Sequence, residues 1–142
     1  MNEKVTKMLA WFDEKFQKMN LLNRDVYIWG AAEVGAELKT KLKEKGIEIS
    51  GYVDRRAREL VEFKGKKVIF SEQLNSKTDY VIVSLWGYDD LVVKKLFELG
   101  FKYDQFCWLC EPEHFSRTDI EYKGCSIGKY TYGYKELLTW FP

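Results

Sequence analysis

Residues 26–38 are Val26-Tyr27-Ile28-Trp29-Gly30-Ala31-Ala32-Glu33-Val34-Gly35-Ala36-Glu37-Leu38. The four apolar residues that open this stretch follow Asp25 and predict a buried strand. After the turn, the apolar residues have helical spacing, with Val34, Leu38 and Leu42 four apart. A buried strand, a glycine-containing turn and an amphipathic helix form the first half of a βαβ unit.

The turn in this stretch has the spacing of a dinucleotide-binding fingerprint, Gly30-x-Ala32-x-x-Gly35. We expect Gly30 to permit a tight turn and Gly35 to let the helix pack closely on the sheet. Ala32 stands where the fingerprint has its middle glycine, so its methyl group lies in the path of a pyrophosphate. Backbone N–H groups and the helix dipole favour a phosphate at such a turn. The turn therefore predicts a nucleotide-type ligand, with a structural relic of such a site as the alternative.

The rest of the chain alternates strands with helices, which predicts a doubly wound α/β fold. Its parallel sheet would have about five strands and right-handed crossovers. We predict strands at residues 26–29, 47–53, 80–84 and 105–109, and a turn with a short strand within residues 63–70. We predict helices at residues 3–19, 33–45 and 89–99. In the last helix we expect the inward face to consist of Leu91, Val92, Leu96 and Leu99.

Ligands of open parallel sheets bind beyond the carboxyl ends of the strands. This rule brings three loops to one rim, and the candidate ligand-binding residues there are Gly30, Ala31, Ala32, Glu33, Val34, Gly35, Asp54, Arg55, Ser84, Trp86 and Tyr88. Asp54 ends the second strand, where an acid can hold a ribose hydroxyl. Asp54→Ala should therefore weaken a ribose-bearing ligand without unfolding the domain. The arginines in residues 55–58 either contact a ligand phosphate or begin a solvated helix.

The first helix has one apolar face and is otherwise charged. The apolar face consists of Val5, Leu9, Phe12, Phe16 and Met19. We expect it to pack on its own domain, with contact to a partner subunit as the alternative.

Composition restricts the class of protein. The net charge of +1 in 142 residues and the lack of a basic stripe argue against nucleic acid or an anionic membrane as partner. No apolar run approaches the roughly 18 residues of a membrane span, and the charged N-terminus does not resemble a secretory signal. Three cysteines, an odd number, favour the reducing cytoplasm. We expect an N-terminal helix (1–22), a nucleotide-binding domain (23–112) and a short β-rich tail (113–142).

Residues 26 to about 106 resemble the small Rossmann-like domains of bacterial surface-glycan enzymes. The motifs that carry this resemblance are Ile28 to Gly35, Gly51-Tyr52-Val53-Asp54 and Asp79 to Ser84. One branch of these enzymes, the sugar-nucleotide acetyltransferases, holds the nucleotide sugar in such an N-terminal domain. In the other branch an NAD-binding-like domain is attached to nucleotide-sugar epimerases and dehydratases. The resemblance therefore implies a nucleotide-sugar or NAD as the ligand.

The tail carries a second resemblance. Residues 125–133, Cys-Ser-Ile-Gly-Lys-Tyr-Thr-Tyr-Gly, look like the opening of the hexapeptide-repeat acetyltransferases of the xenobiotic and streptogramin type. One such turn cannot bury itself, because solenoids need at least three repeats. The resemblance implies the front end, or a relic, of a longer acetyltransferase of polysaccharide biosynthesis. The catalytic histidine of that family lies farther along, so we expect this chain to be inert in acetyl transfer.

Cys107, Cys110, His114 and Cys125 could supply a tetrahedral zinc site. Alternation along a strand would place Cys107 and Cys110 on opposite faces, unless the strand ends between them. The usual second pair of closely spaced ligands is missing, so we favour ordinary buried cysteines and no metal.

Three function classes remain open. The first is a nucleotide or nucleotide-sugar binding module, the non-catalytic part of a surface-glycan acetyltransferase. The second is an NAD-type binding or regulatory domain, in which Asp54 would hold the ribose. The third is a structural or oligomerisation module, with the N-terminal helix and the aromatic tail as contact surface. The tail surface would consist of Tyr130, Tyr132, Tyr134, Trp140 and Phe141.

Overall fold

A computed structural model describes residues 3–111. The helices are α1 (Glu3–Lys15), α2 (Glu33–Glu44) and α3 (Asp89–Glu98). The strands are β1 (Asp25–Trp29), β2 (Gly51–Val53), β3 (Glu62–Phe63), β4 (Lys66–Ile69), β5 (Asp79–Val83) and β6 (Phe106–Trp108). Short 3-10 turns lie at Phe16–Lys18, Ser71–Gln73 and Tyr103–Gln105.

The strands form one sheet in the order β3-β4-β2-β1-β5-β6. All neighbours are parallel except β3 and β4, which form an antiparallel hairpin at one edge. The predicted α/β class is confirmed, but the sheet has six strands instead of about five, and it is mostly rather than wholly parallel. Along the chain, the strands first move outward from β1 to β2 and β4, and then return to β5 and β6 on the other side of β1.

The side chains of the strands contribute to two separate core clusters, because they alternate along each strand. Val26 and Ile28 of β1 pack in one core cluster with residues of α1 and α2, such as Phe12 and Leu38. On the opposite face, Val81 and Val83 of β5, Phe106 and Trp108 of β6, and Val92, Val93 and Leu96 of α3 form a second cluster.

The first helix packs on its own domain, as predicted. The buried residues of α1 are Val5, Met8, Leu9 and Phe12, and all four belong to the core cluster shared with α2 and the sheet. Phe16 and Met19 are partly buried against the same cluster.

Two predicted elements differ from the structure. The strand predicted at 47–53 is reduced to β2. Its predicted first residue belongs to the end of α2, because the Ile47 N–H bonds the Leu42 carbonyl oxygen at 2.9 Å. In α3 the prediction for Leu91 is wrong, since its side chain is 51% exposed. The inward face also includes Val93, which is fully buried, while Leu99 is only partly buried.

In the region that the structure describes, no helix is long and apolar enough to cross a membrane. The predicted β-rich tail lies outside the described residues, as do His114 and Cys125.

Candidate functional site

In the turn between β1 and α2, the backbone of the helix lies very close to the end of the strand. Gly30 has a φ of +122°, which favours glycine. A Cβ at Gly35 would lie 2.3 Å from the Gly30 carbonyl oxygen, so the expected close approach of helix and strand is confirmed. Ala32 precedes α2 in an extended conformation, and its methyl group cannot accept hydrogen bonds from the first-turn N–H groups. The N-terminus of α2 therefore opens at the carboxyl edge of the sheet without a side-chain cap.

Asp54 directly follows β2, and its carboxylate forms a hydrogen bond with the turn between β1 and α2. Its Oδ2 accepts the Ala31 N–H at 3.0 Å, and its Oδ1 accepts the Arg56 backbone N–H at 2.9 Å. The Arg56 guanidinium donates to both carboxylate oxygens at 2.9 Å and to the Ala31 carbonyl oxygen at 2.9 Å. Both oxygens of Asp54 thus already have protein donors, and Arg56 links the loop after β2 to the turn after β1.

These bonds set the protonation state of Asp54. Burial alone would raise the pKa of this carboxyl, which is 8% exposed. The side-chain and backbone hydrogen bonds from Arg56, and the one from Ala31, outweigh burial and lower the pKa to about 2. The same hydrogen bond and charge raise the pKa of Arg56. Asp54 and Arg56 therefore form an ion pair at neutral pH.

Ser84 lies against the turn from the opposite side. Its hydroxyl donates to the Trp29 carbonyl oxygen at 2.9 Å, and only 6% of the residue is exposed. A Cβ at Gly30 would come within 2.7 Å of the Ser84 Oγ. Ser84 is thus brought to the predicted rim, where its hydroxyl holds the end of β1.

Arg55 and Tyr88 meet across the rim. The guanidinium carbon of Arg55 lies 5.7 Å from the centroid of the Tyr88 ring, a cation–π contact. Arg55 belongs to the loop after β2 and Tyr88 to the loop after β5, the two strands that flank β1. The contact therefore spans the end of β1. Tyr88 is 51% exposed, which leaves ring surface available to a ligand.

Trp86, in the loop after β5, packs against α1. Its ring stacks on Trp11 at a centroid distance of 5.6 Å and an angle of 14°, and Lys4 Nζ lies 5.5 Å from the Trp86 centroid. Its packing partner is thus the N-terminal helix, and its predicted role in ligand binding stays a prediction.

Two residues of this region were absent from the predicted site. Arg56 was seen only as one of several arginines in residues 55–58, because its spacing from Asp54 does not by itself indicate a contact. Asp89 begins α3 with 8% of its surface exposed, and its carboxylate accepts the Trp108 indole N–H and the Gly87 N–H. Burial raises the pKa of Asp89 despite these bonds. In the sequence, Asp89 stands out only as the first residue of the helix predicted at 89–99.

Cys107 and Cys110 are free thiols, and β6 ends between them at Trp108. Both pack against the core cluster on the α1 side. Burial raises the pKa of each thiol to about 12, so neither is a reactive thiolate at neutral pH. Within residues 3–111, no three metal-ligating side chains come together.

Residues 22–106 match the protein family described as C2185-like, N-terminal. The chain belongs to this family. No curated protein and no solved structure matches the chain. The C2185-like N-terminal match covers α2, α3 and all the strands except the last residues of β6, and so includes the rim. The description of this family names neither a ligand nor a reaction.

Proposed function

We propose that this chain is a doubly wound, Rossmann-like domain that binds a nucleotide or nucleotide-sugar at the N-terminus of α2. We further propose that it serves as the non-catalytic, substrate-holding part of a sugar acetyltransferase in polysaccharide biosynthesis. The free thiols Cys107 and Cys110 support a cytoplasmic location.

One observation carries the proposal: the uncapped N-terminus of α2 lies where the strand order reverses. The chain leaves β1 for β2 and β4 on one side, and for β5 and β6 on the other. In open α/β sheets this reversal creates a crevice at the carboxyl ends of the strands, and ligands bind there. The first-turn N–H groups and the positive end of the helix dipole would face a phosphate in that crevice.

The side chains around the crevice suit a ligand with an anionic group and a flat ring. Arg55 and Arg56 supply two guanidinium groups, which bind phosphate through several N–H donors. Tyr88 offers an exposed ring on which a base or a sugar can pack. A nucleotide-sugar combines these chemical features in one molecule.

The pairing of Asp54 with Arg56 constrains how a ribose can be held. The Asp54 carboxylate accepts four hydrogen bonds from protein donors, so a ribose hydroxyl must displace at least one of them. A ligand phosphate can do this by drawing the half-exposed Arg56 side chain away from Asp54. Arg56 then neutralises the phosphate charge, and an Asp54 oxygen released by Arg56 can accept a hydrogen bond from the ribose hydroxyl.

The proposal is tested by a thermal-shift panel with NAD, NADP, UDP-sugars, dTDP-sugars, CMP and acetyl-CoA. A ligand at a hundred times its dissociation constant stabilises the fold by roughly 2.7 kcal/mol, which raises the melting temperature by several degrees. We expect a shift with a sugar nucleotide that Arg55→Ala reduces and the control Lys43→Ala preserves. A panel without any shift would contradict the proposal.

A shift with NAD alone would favour the second candidate, an NAD-type binding or regulatory domain. The observation in its favour is Asp54 at the end of β2, the position of the ribose-binding acid in such domains. The third candidate is an oligomerisation module, and one of the two contact surfaces predicted for it, the apolar face of α1, is not available to a partner. The apolar face of α1 is buried on its own domain, and the aromatic tail lies outside the described residues.

A further inference from the structure

The loop between β5 and α3, residues 84–88, makes aromatic contacts with two other parts of the molecule. Tyr88 lies at the rim, where its ring centroid is 5.7 Å from the guanidinium carbon of Arg55. Trp86 stacks on Trp11 of α1 at a centroid distance of 5.6 Å. The loop therefore connects the N-terminal helix with the proposed ligand site.

The contact with α1 is made by two side chains on one side of that helix. Lys4 and Trp11 are seven residues apart, which is about two helical turns, so they lie on the same side of α1. The rings of Trp11 and Trp86 are nearly parallel, at 14°, and Lys4 Nζ lies 5.5 Å from the Trp86 centroid. Trp11 also packs against the core cluster that α1 shares with α2 and the sheet. The loop thus rests on a helix that is itself fixed in the core.

Hydrogen bonds hold the main chain of the loop on both sides of its tryptophan. Before the tryptophan, the Leu85 carbonyl oxygen accepts a hydrogen bond from Cys110 Sγ at 3.3 Å. After it, the Gly87 N–H donates to the Asp89 carboxylate at 3.2 Å. The loop is therefore held at residues 85 and 87 by the protein itself, and at residue 86 by α1.

A single residue, Gly87, separates Trp86 from Tyr88. Gly87 has a φ of +131°, a conformation that favours glycine. A Cβ at this position would meet nothing within 4 Å, so the backbone conformation favours glycine here, and a lack of space does not. Because the link is so short, the position of Trp86 on α1 restricts where the Tyr88 ring can lie.

We propose that α1 positions Tyr88 at the rim through the Trp11–Trp86 stack, which makes both tryptophans positioning residues of the ligand site. The effect on ligand affinity rests on the proposed function, in which a base or a sugar packs on the Tyr88 ring. The position of Tyr88 in the free protein does not depend on any ligand. The N-terminal helix thus contributes to binding through the loop after β5.

Fluorine NMR of the full chain tests the position of Tyr88 without a ligand. In this experiment 3-fluorotyrosine replaces Tyr88, and Arg55→Ala gives the chemical shift for a lost contact at the rim. Trp11→Leu removes the stack from the side of the helix, and Trp86→Leu removes it from the side of the loop. The matched control is Leu9→Ala, which truncates a buried side chain of α1 and leaves both tryptophans in place.

We expect Trp11→Leu and Trp86→Leu each to move the fluorine signal toward its position in Arg55→Ala. Trp11→Phe keeps an aromatic ring and should restore most of the original shift. Leu9→Ala should leave the signal of the folded protein in place. An unmoved signal in both leucine variants, or an equal movement in Leu9→Ala, would overturn the proposal.

Titration calorimetry with UDP-glucose and dTDP-glucose measures the effect on affinity. Trp11→Leu and Trp86→Leu should each raise the dissociation constant by about twofold to tenfold, the range that one aromatic pair can contribute, and Trp11→Phe should raise it less. Weaker binding in Trp86→Leu alone would mean that Trp86 contacts the ligand directly, which would overturn the positioning role. Absence of binding by the unaltered chain would contradict the proposed function, and the fluorine shifts would still decide whether α1 positions Tyr88.

Discussion

At the residue scale, Gly35 sets the distance between α2 and β1. A Cβ there would meet the Gly30 carbonyl oxygen at 2.3 Å and the Tyr52 ring at 3.2 Å, and backbone cannot move aside as a flexible side chain can. The spacing in the sequence was enough to predict this role, since a glycine one turn into the helix has few other uses.

Gly35→Ala should destabilise the domain by about 1 to 3 kcal/mol, the usual cost of overpacking, despite the better helix propensity of alanine. Urea unfolding measures the change, with the exposed Lys43→Ala as control. A change within about 0.5 kcal/mol for Gly35→Ala would mean that the turn relaxes freely.

The Asp54–Arg56 pair could not be foreseen, because two residues at this spacing meet only when the backbone after β2 turns sharply. The Arg56 backbone N–H bond to Asp54 shows that turn. Asp54 therefore has a structural role beside the one expected for it, and its removal affects stability as well as ligand binding.

Asp54→Asn should cost roughly 1 to 2 kcal/mol of stability at pH 7, because it removes the ion pair with Arg56. The folded pKa of about 2 lies below the ordinary value of 3.8. This contribution is therefore complete above about pH 4 and is lost as the pH falls through 2.

Urea unfolding of both proteins between pH 7 and pH 2 measures the difference in stability. The difference should shrink over the acid part of this range. A difference that stays constant with pH would show that the carboxylate charge is not its source.

At the scale of elements, α3 shows what hydrophobic periodicity can and cannot decide. The helix was predicted, and its predicted bounds agree with the observed ones to within one residue. However, Leu91, Val92 and Val93 are three consecutive apolar residues. Adjacent apolar residues leave the orientation of a helix open. The packing against β5 and β6 turns Val93 inward and leaves Leu91 in solvent.

Leu96 and Leu91 provide a matched pair of substitutions on this helix. Leu96 is fully buried and Leu91 is 51% exposed. Leu96→Ala should cost about 2 to 5 kcal/mol, and Leu91→Ala about 0.5 kcal/mol or less. Equal costs in thermal or urea unfolding would contradict the orientation of α3.

The Trp11–Trp86 stack links α1 to the loop after β5. A double-mutant cycle with Trp11→Leu and Trp86→Leu should give a coupling free energy of about 0.5 to 1.5 kcal/mol, the range for aromatic pairs. A cycle that pairs Trp11→Leu with Leu22→Ala, whose side chain is 80% exposed, should give no coupling. Additive costs for the tryptophan pair would show that the stack contributes nothing to holding the loop.

At the scale of the whole molecule, strand–helix alternation was sufficient to predict the sheet, because parallel strands need helical crossovers. The edge hairpin of β3 and β4 was not predicted, since β3 has only two residues. Because the carboxyl ends of parallel strands meet at one edge of the sheet, the loops after β1, β2 and β5 could also be predicted to share one rim. Side-chain partners such as Arg55 with Tyr88 depend on loop conformation, which periodicity does not encode.

The central claim is that the rim at the end of β1 holds a nucleotide-type ligand. Mapping of amide chemical shifts in the full chain by NMR, during titration with a UDP-sugar, a dTDP-sugar or NAD, tests it most directly. The account predicts that saturable shifts cluster at residues 31–35, 54–56 and 84–88, and that the amides of β3 and β4 do not respond. No response with any of these ligands, or shifts confined to other surfaces, would contradict it.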